Sequence, residues 1–200
     1  MMMTIRSARQ LAEIGAPGAV IGVIAGAVVG VLAGIVGQPL GWALTGAVML
    51  AVPLACVGGC YGVLTGLGHA KPGMFTPAAV LWLVGFPLSR LWHETMTPVV
   101  LGGPATPPDD VVTFLLYQAL VGMGFAIGFI WLYERIIPGW LAQIKDHNPY
   151  AERVYARYIA HAEHMWNLRE QRRARRQAGH APGQVGPPGG TTKVRAKRSS

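Results

Sequence analysis

Residues 14–70 read IGAPGAVIGVIAGAVVGVLAGIVGQPLGWALTGAVMLAVPLACVGGCYGVLTGLGHA, without one Asp, Glu, Lys or Arg. A helix that crosses a bilayer needs about 20 predominantly apolar residues. The stretch is therefore long enough for two crossings and a turn. Gly37-Gln38-Pro39-Leu40-Gly41 supplies the turn, and so short a connection makes the two helices antiparallel neighbours. The reading predicts a first span over about 16–36 and a second over about 40–67.

Within the first span, Gly18, Gly22, Gly26, Gly30 and Gly34 recur every fourth residue, and the second span carries Gly58, Gly62 and Gly66. Positions four apart lie nearly above one another on a helix, so each series is a groove free of side chains. In lipid, where the hydrophobic effect does not drive helices together, close backbone approach along small residues does. The pattern resembles the glycine zipper of tightly packed membrane helices. Three uses are open to it: packing on the hairpin partner, self-association between copies, or lining of an oligomeric pore.

Beyond the hairpin, residues 75–92 form a third apolar segment that contains Pro77, Gly85 and Pro87. Pro77 is tolerated in a first turn, and Pro87 predicts a kink near the far end. Residues 111–133 form a fourth span, preceded by Asp109 and Asp110 as cap and first-turn acids. Pro138-Gly139 predicts the end of that helix, followed by a short amphipathic piece over 140–145. Asn148-Pro149 reads as the cap and first residue of a further helix.

The whole chain is 52% hydrophobic and 13% charged over 200 residues, against about 25% charged in a soluble domain. Its mean hydropathy is +0.36. The net charge of +8 is not spread evenly. From Trp140 onward there are twelve Lys and Arg against four Asp and Glu, while the rest of the chain is neutral. Lys and Arg in short loops favour the cytoplasmic side. Arg6, Arg9, Lys71 and Arg135 fall at one set of ends, and Glu94, Asp109 and Asp110 at the other. Four spans satisfy that distribution, whereas three would place the basic tail outside. Trp42 and Trp92 near one interface, and Tyr61, Trp131 and Tyr133 near the other, suit aromatic belts.

The expected architecture is thus an all-α integral membrane protein of a plasma or inner membrane. A four-transmembrane-helix bundle over 1–138 precedes an amphipathic cytoplasmic helix over 139–178 and a disordered basic tail over 179–200. On the cytoplasmic helix, Tyr155, Tyr158, Met165 and Trp166 share a face, followed by Arg169, Arg172, Arg173, Arg175 and Arg176. An interfacial helix on anionic lipid head groups has this composition. Docking to another protein is the second expectation. Nucleic acid is disfavoured, because no recognised binding motif accompanies the charge.

Residues that carry chemistry are few. Arg90 and Glu94, spaced i and i+4, are expected to pair with His93 beside them at the outer end of the third span. Gln118, two turns into the fourth, is placed to hydrogen-bond across to them. His69 and His93 lie at opposite ends of their spans, roughly 30 Å apart, so they cannot share one haem iron. Cys56 and Cys60 lack the further ligands that zinc requires. His161 and His164 read as a solvated helix face. No cofactor, metal or catalytic constellation is expected. The leading functional expectation is a small membrane accessory or scaffold protein that acts through glycine-mediated packing and its basic tail. A homo-oligomeric channel or small-solute transporter with the first span at its axis is the alternative. An enzyme working through Arg90, His93 and Glu94 is a third class.

Overall fold

The computed structural model describes residues 5–179, with side chains through residue 175. Among the described residues the secondary structure is entirely helical: α1 (Ile5–Ile35), α2 (Leu40–Leu67), α3 (Thr76–Val100), α4 (Val111–Ile144) and α5 (Pro149–Gly179). Three of them, α1, α2 and α4, are long and apolar enough to cross a membrane. The expected tail beyond Gly179 lies outside the described residues. Two compact units are distinguished, Met1–Ala162 and Glu163–Ser200.

In the first unit, α1 to α4 form a ring in which backbones come close between successive helices, α1 with α2, α2 with α3, α3 with α4, and α4 with α1, while aromatic side chains of α2 and α4 meet across the middle. The α1–α2 contact is the most extensive and the α1–α4 contact the least. The distribution of polarity is that of a lipid-solvated bundle. Val20, Val28, Val31, Leu44, Val52, Leu116, Leu120 and Ile127 are exposed, while Thr65, Ser89, His93, Thr97 and Gln118 are buried. A surface so continuously apolar is not sustained in water.

The glycines set the tight side of the ring. A Cβ added at Gly18 would fall on the Gly58 carbonyl, and one added at Gly58 on the Gly18 carbonyl. A Cβ at Gly22 would overlap the Leu54 backbone, and one at Gly26 would lie 2.5 Å from Ala51 Cα. At Gly30 it would lie 2.5 Å from Ala47 Cβ, and at Gly62 2.6 Å from Gly15 Cα. Contacts advance along α1 as they retreat along α2, which is the antiparallel hairpin. Gly34 does not share in this, for nothing lies within 4 Å of its missing Cβ. Gly66 meets only the side chains of Leu11 and Ile14. Gly15, off the four-residue series, belongs to the contact, with Gly59 O 2.9 Å from its would-be Cβ.

The far side of the ring is aromatic. Trp82 of α3 lies 4.6 Å from Phe125 and 4.9 Å from Phe129 of α4, centroid to centroid. Tyr61 of α2 meets Phe129 at 5.3 Å and Tyr133 at 4.9 Å, edge on. Tyr61 and Tyr133 are thus core residues, not belt residues; of the three aromatics expected at that interface only Trp131 is exposed.

Helix ends follow local chemistry. Gly37 and Gly68 adopt the left-handed conformation after α1 and α2, at φ 85° and 89°. Gln38 N then donates to Ala33 O, and His69 N to Leu64 O, closing helix carbonyls that would otherwise be unpaired. Asp110 caps α4, accepting from Thr113 N at 3.0 Å and from the Thr113 hydroxyl at 2.6 Å. These bonds favour its ionised form and hold its carboxyl below the usual range.

Four boundaries differ from expectation. α1 begins at Ile5, so Arg6, Arg9 and Glu13 ride on its first turns. α3 begins at Thr76 and continues past residue 92 to Val100, with Pro87 and Pro98 inside it. α4 does not end at Pro138; it runs on to Ile144, and the piece expected over 140–145 is largely its last turn and a half. The physical reason is burial: Ile137, Leu141 and Ile144 are all in the core, and their packing outweighs the backbone hydrogen bond that Pro138 removes.

Candidate functional site

Two places gather polar side chains. The first lies toward the end of the bundle where α1 stops and α4 starts. Arg90 Nη1 donates to His93 Nδ1 at 3.0 Å, and Arg90 Nη2 donates to Glu94 Oε2 at 3.4 Å. A guanidinium has no acceptor, so Nδ1 of His93 is unprotonated and the neutral ring carries its hydrogen on Nε2. That nitrogen faces Gly46 of α2, where a Cβ would stand only 3.2 Å away. Gly46 is therefore the residue that admits the imidazole. Thr97 returns its hydroxyl to the His93 carbonyl at 2.6 Å.

The expected bond from Gln118 to this cluster is not formed. Gln118 is 7% exposed and has no hydrogen-bond partner among the described residues. Arg90 and Gln118 instead line one cavity of about 610 Å³ together with Val28, Val29, Leu50, Phe86 and Tyr117. A second, smaller cavity of about 220 Å³ lies between Ile21, Ile24, Phe125, Gly128 and Leu132, and the two share Ala25 and Phe125 in their walls. Both lie along the α1–α4 seam. The seam is open because the glycines draw α1 onto α2, and because α4 presents Gly128 there with nothing within 4 Å of its missing Cβ.

The second place is the opposite end, where the Arg and Lys residues of the loops collect. Pro17 has no N–H for the Glu13 carbonyl four residues earlier. The indole of Trp140 donates to that carbonyl at 2.8 Å. Asn148, fully buried, caps α5 through Oδ1, which accepts from Tyr150 N and Ala151 N at 3.1 and 3.2 Å. Its Nδ2 donates to Gln10 O at 2.7 Å and to Glu13 Oε2 at 3.0 Å. His147 Nε2 lies 3.3 Å from the same carboxylate oxygen. One amide side chain thus ties the start of α1 to the start of α5.

Further along α5, Arg157 stands over the end of α2, with Nη1 3.0 Å from where a Cβ at Gly68 would be. A cation at that position suits the unpaired carbonyls of a helix C-terminus. Tyr158 lies beside the Glu134 carboxylate, which accepts from Gly73 N at 3.4 Å. Burial, then the charge of Glu134, pushes the Tyr158 phenol well above its ordinary range.

The expected single lipid-facing stripe on α5 is accordingly divided. Tyr155 and Tyr158 pack against the bundle core beside Val154. In the second unit, Met165 and Trp166 are exposed, as are Arg169, Arg172, Arg173 and Arg175. The Trp166 indole donates to Glu170 at 2.9 Å. The side chain of Arg176 lies outside the described residues. Cys56 and Cys60 are free thiols exposed on α2.

The sequence signals for Gly46 and for the second role of Asn148 were absent, since both depend on what lies across the bundle. Trp140 is different: an internal proline at residue 17 announces a carbonyl in need of a donor. Comparison of the chain with protein-family models, curated proteins and solved structures finds no match.

Proposed function

We propose that the chain is a four-span protein of a plasma or inner membrane, with both termini cytoplasmic, that serves as an accessory or scaffold protein. The bundle anchors it, and the basic arm engages anionic lipid head groups or a larger membrane complex. Support for α3 as a fourth span comes from its place in the ring between α2 and α4. Its 25 residues reach about 38 Å at about 1.5 Å per residue, against a core of about 30 Å. Orientation rests on the Lys and Arg at the α5 end and the acids at the other.

The observation that carries the reading is the closure of the glycine face on α2 of the same chain. What remains free is an apolar belt, which suits lipid, and the exposed arginines of the arm. The channel alternative is less favoured, because the uncovered face of α1 over residues 20–35 offers Val, Leu and Ile and no polar side chain for an ion. Native purification in mild detergent, followed by mass spectrometry, tests the accessory role. A stoichiometric membrane partner is expected with the wild type and is lost when Arg169, Arg172, Arg173 and Arg175 become Gln. A free monomer in every preparation contradicts it.

A further inference from the structure

We propose that the seam between α1 and α4 is a binding site for one anionic phospholipid, its phosphate held by Arg90 and Gln118 and an acyl chain lying along the seam. The inference rests on residence in a bilayer and not on the accessory role. Two independent observations point to a ligand. Gln118 is more than nine-tenths buried, without a protein partner, and lines the cavity. Arg90 lines the same cavity and spends only two of its five N–H donors, on His93 and Glu94. Both present donors, and an Arg fork matches phosphate oxygens. An acceptor head group with negative charge is what this pair recognises.

The remaining lining supplies the other half of an amphiphile site. About 610 Å³ lies within the range of ligand cavities, roughly 300–1,000 Å³, and apolar walls with few convergent polar groups are their usual form. From Gln118 the seam continues past Phe125 to Leu132, about 21 Å at about 1.5 Å per residue. One leaflet of hydrocarbon is roughly 15 Å, so the seam accommodates a chain that enters from the leaflet. Exposed Trp92 and Tyr117 stand close in sequence to Arg90 and Gln118, and aromatic residues of this kind mark head-group level. A phospholipid is favoured over a free fatty acid because its phosphate offers more acceptor oxygens to the two donor side chains than a carboxylate does.

The test uses the full chain, purified in mild detergent, stripped of lipid and titrated with phosphatidylglycerol, phosphatidylcholine or oleate, with bound lipid read by native mass spectrometry. One phosphatidylglycerol per chain is expected, preferred over both others. Arg90→Gln weakens it about tenfold or more, as for loss of a charged hydrogen bond. The pair Arg6→Gln and Arg9→Gln, at the opposite end, leaves it unchanged. If Arg90→Gln does not fold, Gly128→Leu fills the lower seam with the head-group site intact and is expected to weaken binding likewise. Equal binding of phosphatidylcholine, preference for oleate, or retention by both seam variants overturns the proposal. A chain that stays monodisperse without detergent would instead refute membrane residence.

Discussion

Gly22→Ala adds one methyl where the α1–α2 contact has no room for it. The new Cβ would overlap the Leu54 carbonyl group and lie 2.5 Å from Ala55 N. Ordinary contact between heavy atoms is about 3.5–4.0 Å, so the helices must part by about 1 Å. The obstacle is backbone, which has no rotamer to give. Overpacking of this kind costs about 1–3 kcal/mol. Gly→Ala in a helix also gains roughly 0.5–1 kcal/mol in backbone entropy, which blurs the result unless it is subtracted. Gly124→Ala in α4 does that, because nothing lies within 4 Å of that position. The expected difference between the two variants is therefore about 1–3 kcal/mol, read by equilibrium unfolding of purified protein in graded denaturing detergent. Gly18→Ala and Gly58→Ala offer a second reading. Each Cβ lands on the other glycine's carbonyl, so one separation relieves both, and the double variant should cost less than the two singles together. If Gly22→Ala is no less stable than Gly124→Ala, α1 and α2 do not approach this closely at Gly22.

Asn148→Ala should destabilise the fold by about 2–3 kcal/mol, through loss of a helix cap and of the bonds to α1. Asn148→Asp is the sharper test: it keeps the cap acceptor but sets a carboxylate against Glu13 Oε2, now 3.0 Å from Nδ2, and should be at least as harmful. A benign Asp would mean that Asn148 only caps. Tyr158 titrates above its ordinary value of 10.0 in the folded chain, so the fold prefers the neutral phenol. Its contribution is full below pH 10 and falls as the pH rises past it. Thermal unfolding between about pH 8 and 11 should show the midpoint dropping, with a shallower drop in Tyr158→Phe; identical slopes would contradict this.

Much of the bundle was legible because its signals are local. The limits of α2 and its turn follow from an uninterrupted apolar run and a Gly-Gln-Pro sequence, and the Asp110 cap from its position before Val111. What failed were rules overridden by packing. Pro138 breaks an isolated helix, yet the core around Ile137 and Leu141 carries α4 past it. Periodicity grouped Gly34 with Gly18 through Gly30, but it cannot show where two helices diverge, and it left out Gly15. Belt aromatics are recognised by depth alone, and depth places Tyr61 and Tyr133 at an interface, whereas their neighbours are Phe129 and each other. The polar cluster was half legible: Arg90, His93 and Glu94 are joined by spacing within one helix. The cavity that Arg90 shares with Gln118 draws its walls from all four helices, and spacing along one helix does not show it.

The central claim is that four helices cross the bilayer, and α3 decides it. Single cysteines placed in a Cys56→Ala, Cys60→Ala background at Gln38, Lys71, Thr106 and Asp146 report the side of each connection through an impermeant thiol reagent on intact cells. Four spans require that Gln38→Cys and Thr106→Cys react at once and that Lys71→Cys and Asp146→Cys react only after the membrane is opened. Lys71→Cys and Thr106→Cys protected together, with Asp146→Cys exposed, would mean that α3 does not cross.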